Sequence, residues 1–179
     1  MMTLRFQFNE LKGTEALTYI ATKWPNVTVF FAFKVLFFAE KQHLNAYGRP
    51  IIADTFIAMA NGPVPSTLYD FIKGNLGLSG DPDAFRGAID TSKHPHIGAK
   101  RAYDPLVLSK SDIECLDDAI AFCKPKGFSH LSQLTHQEKS WADAVANAAM
   151  DYELFIDENN PNRDAILTDA REFAAYGVL

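Results

Sequence analysis

The sequence predicts a mainly α-helical, single-domain bundle around one central aromatic helix, with a small β element of two or three strands. Three observations predict it. Residues 28–46 are apolar around almost the whole helical circumference, the pattern of a helix packed on several sides. Several other stretches pair a capping residue with a one-sided apolar stripe. Between these helical segments, residues 48–65 hold two short β-like runs bounded by Gly and Pro.

Asn9 is placed to cap a first helix over residues 10–23, with Leu11, Ala16, Leu17, Ile20 and Trp24 on one face. Pro25 ends it by restricting the residue before it. Thr28 caps the central helix, whose apolar surface is Phe30, Phe31, Phe33, Val35, Leu36, Phe37 and Phe38. Its last turns put Leu36, Glu40, His43 and Tyr47 on one face. That face reads as a helix end reaching solvent in preference to a pocket wall. Gly48 is placed as the left-handed C′ residue, and Pro50 prevents the helix from resuming.

Ile51-Ile52 and Phe56-Ile57-Ala58-Met59 read as two strands, with Ala53-Asp54 in the turn between them. Asn61-Gly62-Pro63 is expected to break the second, and Pro65-Ser66 to open a short helix through Lys73. Residues 74–95 are rich in Gly, Pro and Asp and read as a long mobile loop, with modest helical potential at 84–87. Residues 96–102 are expected to return as a strand beside the first two. Ser109, with Asp112 at the capping-box position, opens a helix to about Lys124 carrying Ile113, Leu116, Ile120 and Cys123 inward. Residues 129–134 read as one helical turn. Thr135, with Glu138 three positions on, is expected to start a longer helix bearing Trp141, Val145 and Ala148. A last helix covers about residues 162–175, with Ile166, Leu167, Ala170 and Phe173 inward. The domain is taken as 1–179, with a core of about 10–150 and a C-terminal helical extension over 151–179.

Composition narrows the function. The 47% hydrophobic and 22% charged content suits a globular chain. A net charge of −5 argues against nucleic acid as the main partner, because phosphate recognition needs clustered Lys and Arg. It is compatible with a basic protein partner. Cys115 and Cys123 fall on one predicted helix, too far apart in that geometry to bridge, which fits a reducing cytoplasm. The N-terminal stretch lacks the apolar core of a signal peptide. The most apolar window, 27–39, is interrupted by Lys34 and falls short of the roughly 20 residues a bilayer requires. No membrane partner is expected.

Chemical motifs are incomplete. His136-Gln137-Glu138 has the His-x-Glu form of zinc deaminases, but no Pro-Cys-x-x-Cys follows it. His94-Pro95-His96 lacks spaced third and fourth ligands, so no metal is assigned. No Gly-x-Ser-x-Gly elbow or phosphate-cradling loop occurs, and no cofactor is assigned. Lys93, Lys100 and Arg101 are diluted by nearby Asp residues and read as a solvated loop. The residues left for an unrecognised hydrolase are Glu40, His43, His136 and Glu138. Without a complete catalytic constellation, the reading is non-enzymatic.

Three stretches, in order, resemble a known family. They are Lys34-Val35-Leu36-Phe37-Phe38-Ala39-Glu40-Lys41-Gln42-His43-Leu44 with Tyr47-Gly48-Arg49-Pro50-Ile51; then Asp54-Thr55-Phe56-Ile57-Ala58-Met59 with Gly62-Pro63-Val64-Pro65; then Leu134-Thr135-His136-Gln137-Glu138-Lys139-Ser140-Trp141. Together they resemble the Panacea domain of SocA-like antitoxins and phage-associated proteins, over roughly residues 10–150. Residues 74–95 and the chain after Met150 carry no matching motif, and Val29–Phe33 is more aromatic than the pattern.

The resemblance implies a largely helical antitoxin with a small β element, which neutralises a cognate toxin by direct binding. One branch of the family looks like a proteolytic adaptor delivering its toxin to a AAA+ protease. The alternative is an adaptor or phage-derived host-interaction protein without its own toxin. The expected partner surface is a groove framed by 48–65 and the His136–Trp141 stretch, using Arg49, Asp54, Met59, His136, Glu138 and Trp141. Arg49 and Glu138 are also candidates to pair with each other. Gly48, Pro50, Gly62, Pro63, Val64 and Pro65 are read as the structural motif that shapes the groove. A homo-oligomer is compatible with all of this.

Overall fold

The computed structural model describes residues 3–75 and 82–177, without the side chain of Pro82. Eight α-helices and two small antiparallel ladders make up its regular structure among these residues. Helix α1 (Glu10–Lys23) begins where the Asn9 side chain accepts the Lys12 amide at 2.9 Å. Helix α2 (Val29–Tyr47) is capped by Thr28 and closed by Gly48, which takes φ +69°. A left-handed residue there lets the Gly48 amide return to the Leu44 carbonyl at 3.0 Å.

Helix α2 is the centre of the fold. It packs against α1, α5 (Lys110–Cys123), α6 (Phe128–His136) and α8 (Arg163–Tyr176). Phe33, Val35, Leu36 and Phe37 are buried on different sides of it, as the all-round apolar pattern predicts. Phe37 meets Phe56 and Phe155 at ring separations of 5.9 and 5.3 Å, in the edge-on arrangement that aromatic quadrupoles favour. Leu11, expected on the buried face of α1, is 56% exposed. The α5 capping box is formed: Ser109 accepts the Asp112 amide, and the Asp112 side chain accepts the Ser109 amide.

The β element differs from its expected form. Strand β1 (Phe56–Met59) pairs with β2 (Gly62–Pro65) across an Ala60-Asn61 turn, with Phe56 opposite Pro65 and Met59 opposite Gly62. Ile51-Ile52 is a bend, because its amides are already taken by a side chain of α2. Gly62-Pro63, expected to break the strand, is part of its partner. The other side of β1 is covered by residues 147–150, through Ala58 N to Ala148 O at 3.0 Å and Met150 N to Phe56 O at 2.8 Å. Residues 96–102 do not join this ladder. Only Gly98–Ala99 (β4) is a strand, and it pairs with Ile89–Asp90 (β3) beside α1.

Helix α3 (Ser66–Ile72) follows the hairpin directly. The expected long loop is partly ordered as α4 (Pro82–Ala88) and β3, while its residues 76–81 lie outside the described residues. Thr135 lies in the last turn of α6 instead of starting a helix, and its hydroxyl turns back to the Ser132 carbonyl at 2.7 Å. Helix α7 (Lys139–Ala142) is a single turn. Beyond it the chain peels away to pair with β1, leaving Val145 75% exposed. A 3₁₀ turn (Tyr152–Phe155) then leads towards α8. Among the described residues, no helix is long and apolar enough to cross a membrane.

Candidate functional site

The C-terminal half of α2 organises the surrounding chain from inside. Glu40 is fully buried, and its carboxylate accepts the amides of Ile51, Ile52 and Ala53 at 2.8, 3.1 and 2.7 Å. Three consecutive N–H groups converge on one anion, a concave backbone arrangement suited to negative charge. Ala53 takes φ +61° to close that turn. The Tyr152 hydroxyl reaches both Glu40 Oε1 at 3.0 Å and the Asp54 carbonyl at 2.7 Å. Burial pushes the Glu40 carboxyl up, against the opposing pull of the amides and the hydroxyl. The face expected to reach solvent is therefore an internal latch, and only its outermost residue, Tyr47, is exposed.

Asp54 is also fully buried. Its two oxygens accept the Thr67 and Leu68 amides at 3.1 and 3.0 Å, so it caps α3 from the preceding loop. Expected at the partner surface, it lies inside, where it fixes the exit from the hairpin. Lys34 is buried too, and its Nζ donates to the Pro63 carbonyl at 2.9 Å and lies 4.8 Å from the Phe30 ring centre. Burial pushes this ammonium down to about 7, with the neighbouring Cys123 acting in the other direction. Lys34 and Glu40 together tie α2 to both ends of the 51–63 stretch.

A second polar cluster joins α1, α2 and α5. Asp112 accepts from Lys12 Nζ at 2.8 Å and Arg49 at 3.4 Å, and lies 3.2 Å from His43 Nε2. His43 Nδ1 faces the Arg49 carbonyl at 2.8 Å, so that nitrogen carries the proton, and Nε2 faces the Ser111 hydroxyl at 2.9 Å. Burial pushes the imidazole down, helped by the Arg49 and Lys12 charges and opposed by the hydrogen bond to the Arg49 carbonyl and by the Asp112 charge. Burial alone would raise the Asp112 carboxyl, but Lys12 and the Ser109 amide hold it below the usual range. Arg49 is thus engaged at the start of α5, and its expected pairing with Glu138 is absent.

Three of the expected surface residues do converge. The Trp141 indole N–H donates to the Met59 carbonyl at 3.0 Å, and His136 stacks on Trp141 with ring centres 3.8 Å apart. An apolar depression of about 340 Å³ lies beside them, lined by Met59, Trp141, Ala144 and Ala146. His136 Nε2 and Ser140 Oγ are buried without a hydrogen-bond partner among the described residues. Glu138 instead turns to α2, pairing with Lys41 at 2.5 Å, and Lys41 also holds Asp157 at 2.7 Å.

That ion pair lies in the wall of a larger cleft of about 660 Å³ between α2 and α5, which residue patterns did not reveal. Phe38 and Ala119 line it, Phe122 projects into solvent beside it, and Asp118 stands on its α5 side. Lys34 had a visible signal, as the one charge inside an apolar run. Asp118, Phe122 and Asp157 had none, because only the tertiary fold brings them together.

The four residues considered for hydrolysis share no hydrogen bond or ring contact among the described residues. Glu40 holds amides, His43 holds the Arg49–Ser111 corner, His136 stacks on Trp141, and Glu138 pairs with Lys41. Nor is any group of three or more His, Cys, Asp or Glu among the described residues placed to hold a metal ion. His96 of the His-Pro-His motif faces the Asn26 carbonyl at 2.7 Å.

Residues 33–142, more than half of the chain, match the family model described as antitoxin SocA-like, Panacea domain. The matched span runs from the second turn of α2 to the end of α7, and includes Glu40, the hairpin and the Trp141–Met59 contact. No curated protein and no solved structure matches the chain.

Proposed function

Because the chain belongs to the Panacea-domain family of SocA-like antitoxins, we propose that it neutralises a cognate protein toxin by binding it directly in the cytoplasm. The family match is the observation that carries this reading. The contact face is built on the β1–β2 hairpin and the α6–α7 junction, with Met59, His136 and Trp141 as its apolar centre and Glu138 at its margin. Arg49 and Asp54 serve this face from behind, by holding the start of α5 and the start of α3. Aromatic and Met side chains beside a shallow depression are suited to a protein anchor, since such residues supply much of the energy at binding interfaces. The antitoxin domain continues through α8, which packs on α2.

Co-expression with the genes encoded on either side of this one is the test. Restored growth and co-purification of the two proteins are expected, with Trp141→Ala weakening both. Persistent toxicity while this chain is soluble overturns the reading. A loss of the toxin protein that requires a AAA+ protease would make the mechanism delivery instead of masking.

A further inference from the structure

The cleft between α2 and α5 has an apolar floor and an acidic margin. Phe38 and Ala119 form the floor, and the Phe122 ring meets Phe38 edge-on with centres 5.0 Å apart while staying 41% exposed. Asp118, Glu138 and Asp157 supply three carboxylates. Among the described residues that line the cleft, Lys41 is the one cation, and it is already committed to Glu138 and Asp157. The margin therefore keeps an excess of negative charge. The Asp118 carboxylate is met by the neutral Gln42 amide at 2.8 Å, which leaves its charge uncompensated by that contact. At the far end of α5, Lys126 Nζ sits 3.6 Å from the Phe122 ring centre, so this ring already receives a cation on its face.

A second depression of about 330 Å³ shares Glu138 and Asp157 with the cleft and adds Leu154, Ile156 and Glu158, the last paired with Lys139 at 3.5 Å. Two open depressions that share a wall, the larger with an apolar floor, suit a chain segment. The charge on its margin selects the sign of that segment. Arginine suits it best, because a planar guanidinium meets a carboxylate through two parallel hydrogen bonds and also stacks on aromatic rings.

We propose that this cleft seats a basic, amphipathic segment of the partner protein, with an apolar side chain over Phe38 and Phe122 and arginines paired to Asp118 and to the Glu138–Asp157 end. The identity of the partner as a toxin rests on the antitoxin reading above; the chemistry of the segment does not.

The test uses two fluorescein-labelled helical peptides, each with leucines on one face. Arginines flank the leucines in one, and glutamates replace them in the other. Fluorescence anisotropy with the full chain should show the arginine peptide binding at least about tenfold more tightly, and losing affinity as salt is raised. Asp118→Lys and Phe122→Ala should each weaken it by about tenfold. Asp164→Lys, an equal charge change on exposed α8, should leave it within about twofold. Equal binding of the two peptides overturns the proposal. So does a loss in Asp164→Lys as large as in Asp118→Lys, since that is general charge attraction. If circular dichroism shows Phe122→Ala unfolded, Asp118→Lys decides alone. The peptide assay needs no toxin and the co-expression assay needs no cleft, so each reading can fail without the other.

Discussion

Lys34 Nζ donates to the Pro63 carbonyl oxygen across 2.9 Å, and both residues are buried. This single contact joins the second turn of the central helix to the hairpin that the proposed partner face is built on. Its ammonium is held down at about 7 by burial, against an ordinary value of 10.5. Between those values the unfolded chain binds one more proton than the folded chain. Stability therefore rises with pH through that window, by up to about 1.4 kcal/mol per pH unit, and the full penalty applies below it. Lys34→Met removes the titration. From about pH 7.5 to about pH 9, the wild type should gain about 2 kcal/mol more than the variant in urea unfolding. Parallel pH profiles for the two proteins would show that Lys34 is not held neutral.

Glu40 and Tyr152 should behave as one unit. Glutamine at position 40 presents an amide N–H₂ where the cradle already presents donors, whichever way it is turned. Glu40→Gln should cost about 3 kcal/mol, from the scale of breaking a buried charged contact. Tyr152→Phe should cost about 1–2 kcal/mol. The double variant should lose less than the sum by at least about 0.5 kcal/mol, because one substitution already disrupts what the other stabilises. Strict additivity in a denaturant cycle would mean the hydroxyl serves the Asp54 carbonyl alone.

Gly62 is restricted by two independent conditions. It takes φ +104°, and a Cβ there would sit 2.3 Å from Thr135 Oγ1 and 3.0 Å from Lys34 Cε. Gly74 also has positive φ, at +82°, but a Cβ there would meet nothing within 4 Å. Gly74→Ala isolates the backbone cost, about 1 kcal/mol. Gly62→Ala should cost at least about 2 kcal/mol more, because α6 must also move. Thermal melts of the two variants make the comparison, and equal losses would mean the α6 contact yields freely.

The helix boundaries were legible because capping is local. Asn9, Thr28, Gly48 and the Ser109–Asp112 pair each act within a few residues of the end they define. The same logic misled at Thr135–Glu138, where a capping-box spacing falls at the end of a helix whose Thr hydroxyl bonds backwards. Ile51-Ile52 looked like a strand because β propensity cannot register that Glu40, far back in α2, has taken its amides. Of the residues named for a groove between 48–65 and 136–141, Met59, His136 and Trp141 lie together. Glu138 is drawn away by Lys41, which also holds Asp157, a pairing set by how α2 packs against the chain that follows the 3₁₀ turn. The α2–α5 cleft is a product of packing alone, and no spacing along the chain encodes it.

The His43 corner sets the acid limit. Its ring is buried and neutral, with Nδ1–H donated to the Arg49 carbonyl, and burial holds its pKa below the ordinary 6.5. Protonating it would add a third positive charge to Lys12 and Arg49 around the one Asp112 carboxylate. As pH falls below about 6.5, the unfolded chain takes up a proton that the folded chain refuses, so stability falls by up to about 1.4 kcal/mol per pH unit. Asp112, held below 3.8, adds a second loss only at lower pH, because its charge is stabilised in the folded state. His43→Gln should remove the first loss and keep the second. It should start less stable near neutral pH, by about 1–2 kcal/mol, because the two buried contacts of the ring are reproduced imperfectly. Its profile from about pH 7 to about pH 5 should nonetheless be flatter than that of the wild type. Proton NMR of the imidazole gives the direct check: its C–H resonances should stay at their neutral positions at a pH where an exposed His has already shifted. A ring that titrates normally there would place the acid sensitivity elsewhere in the chain.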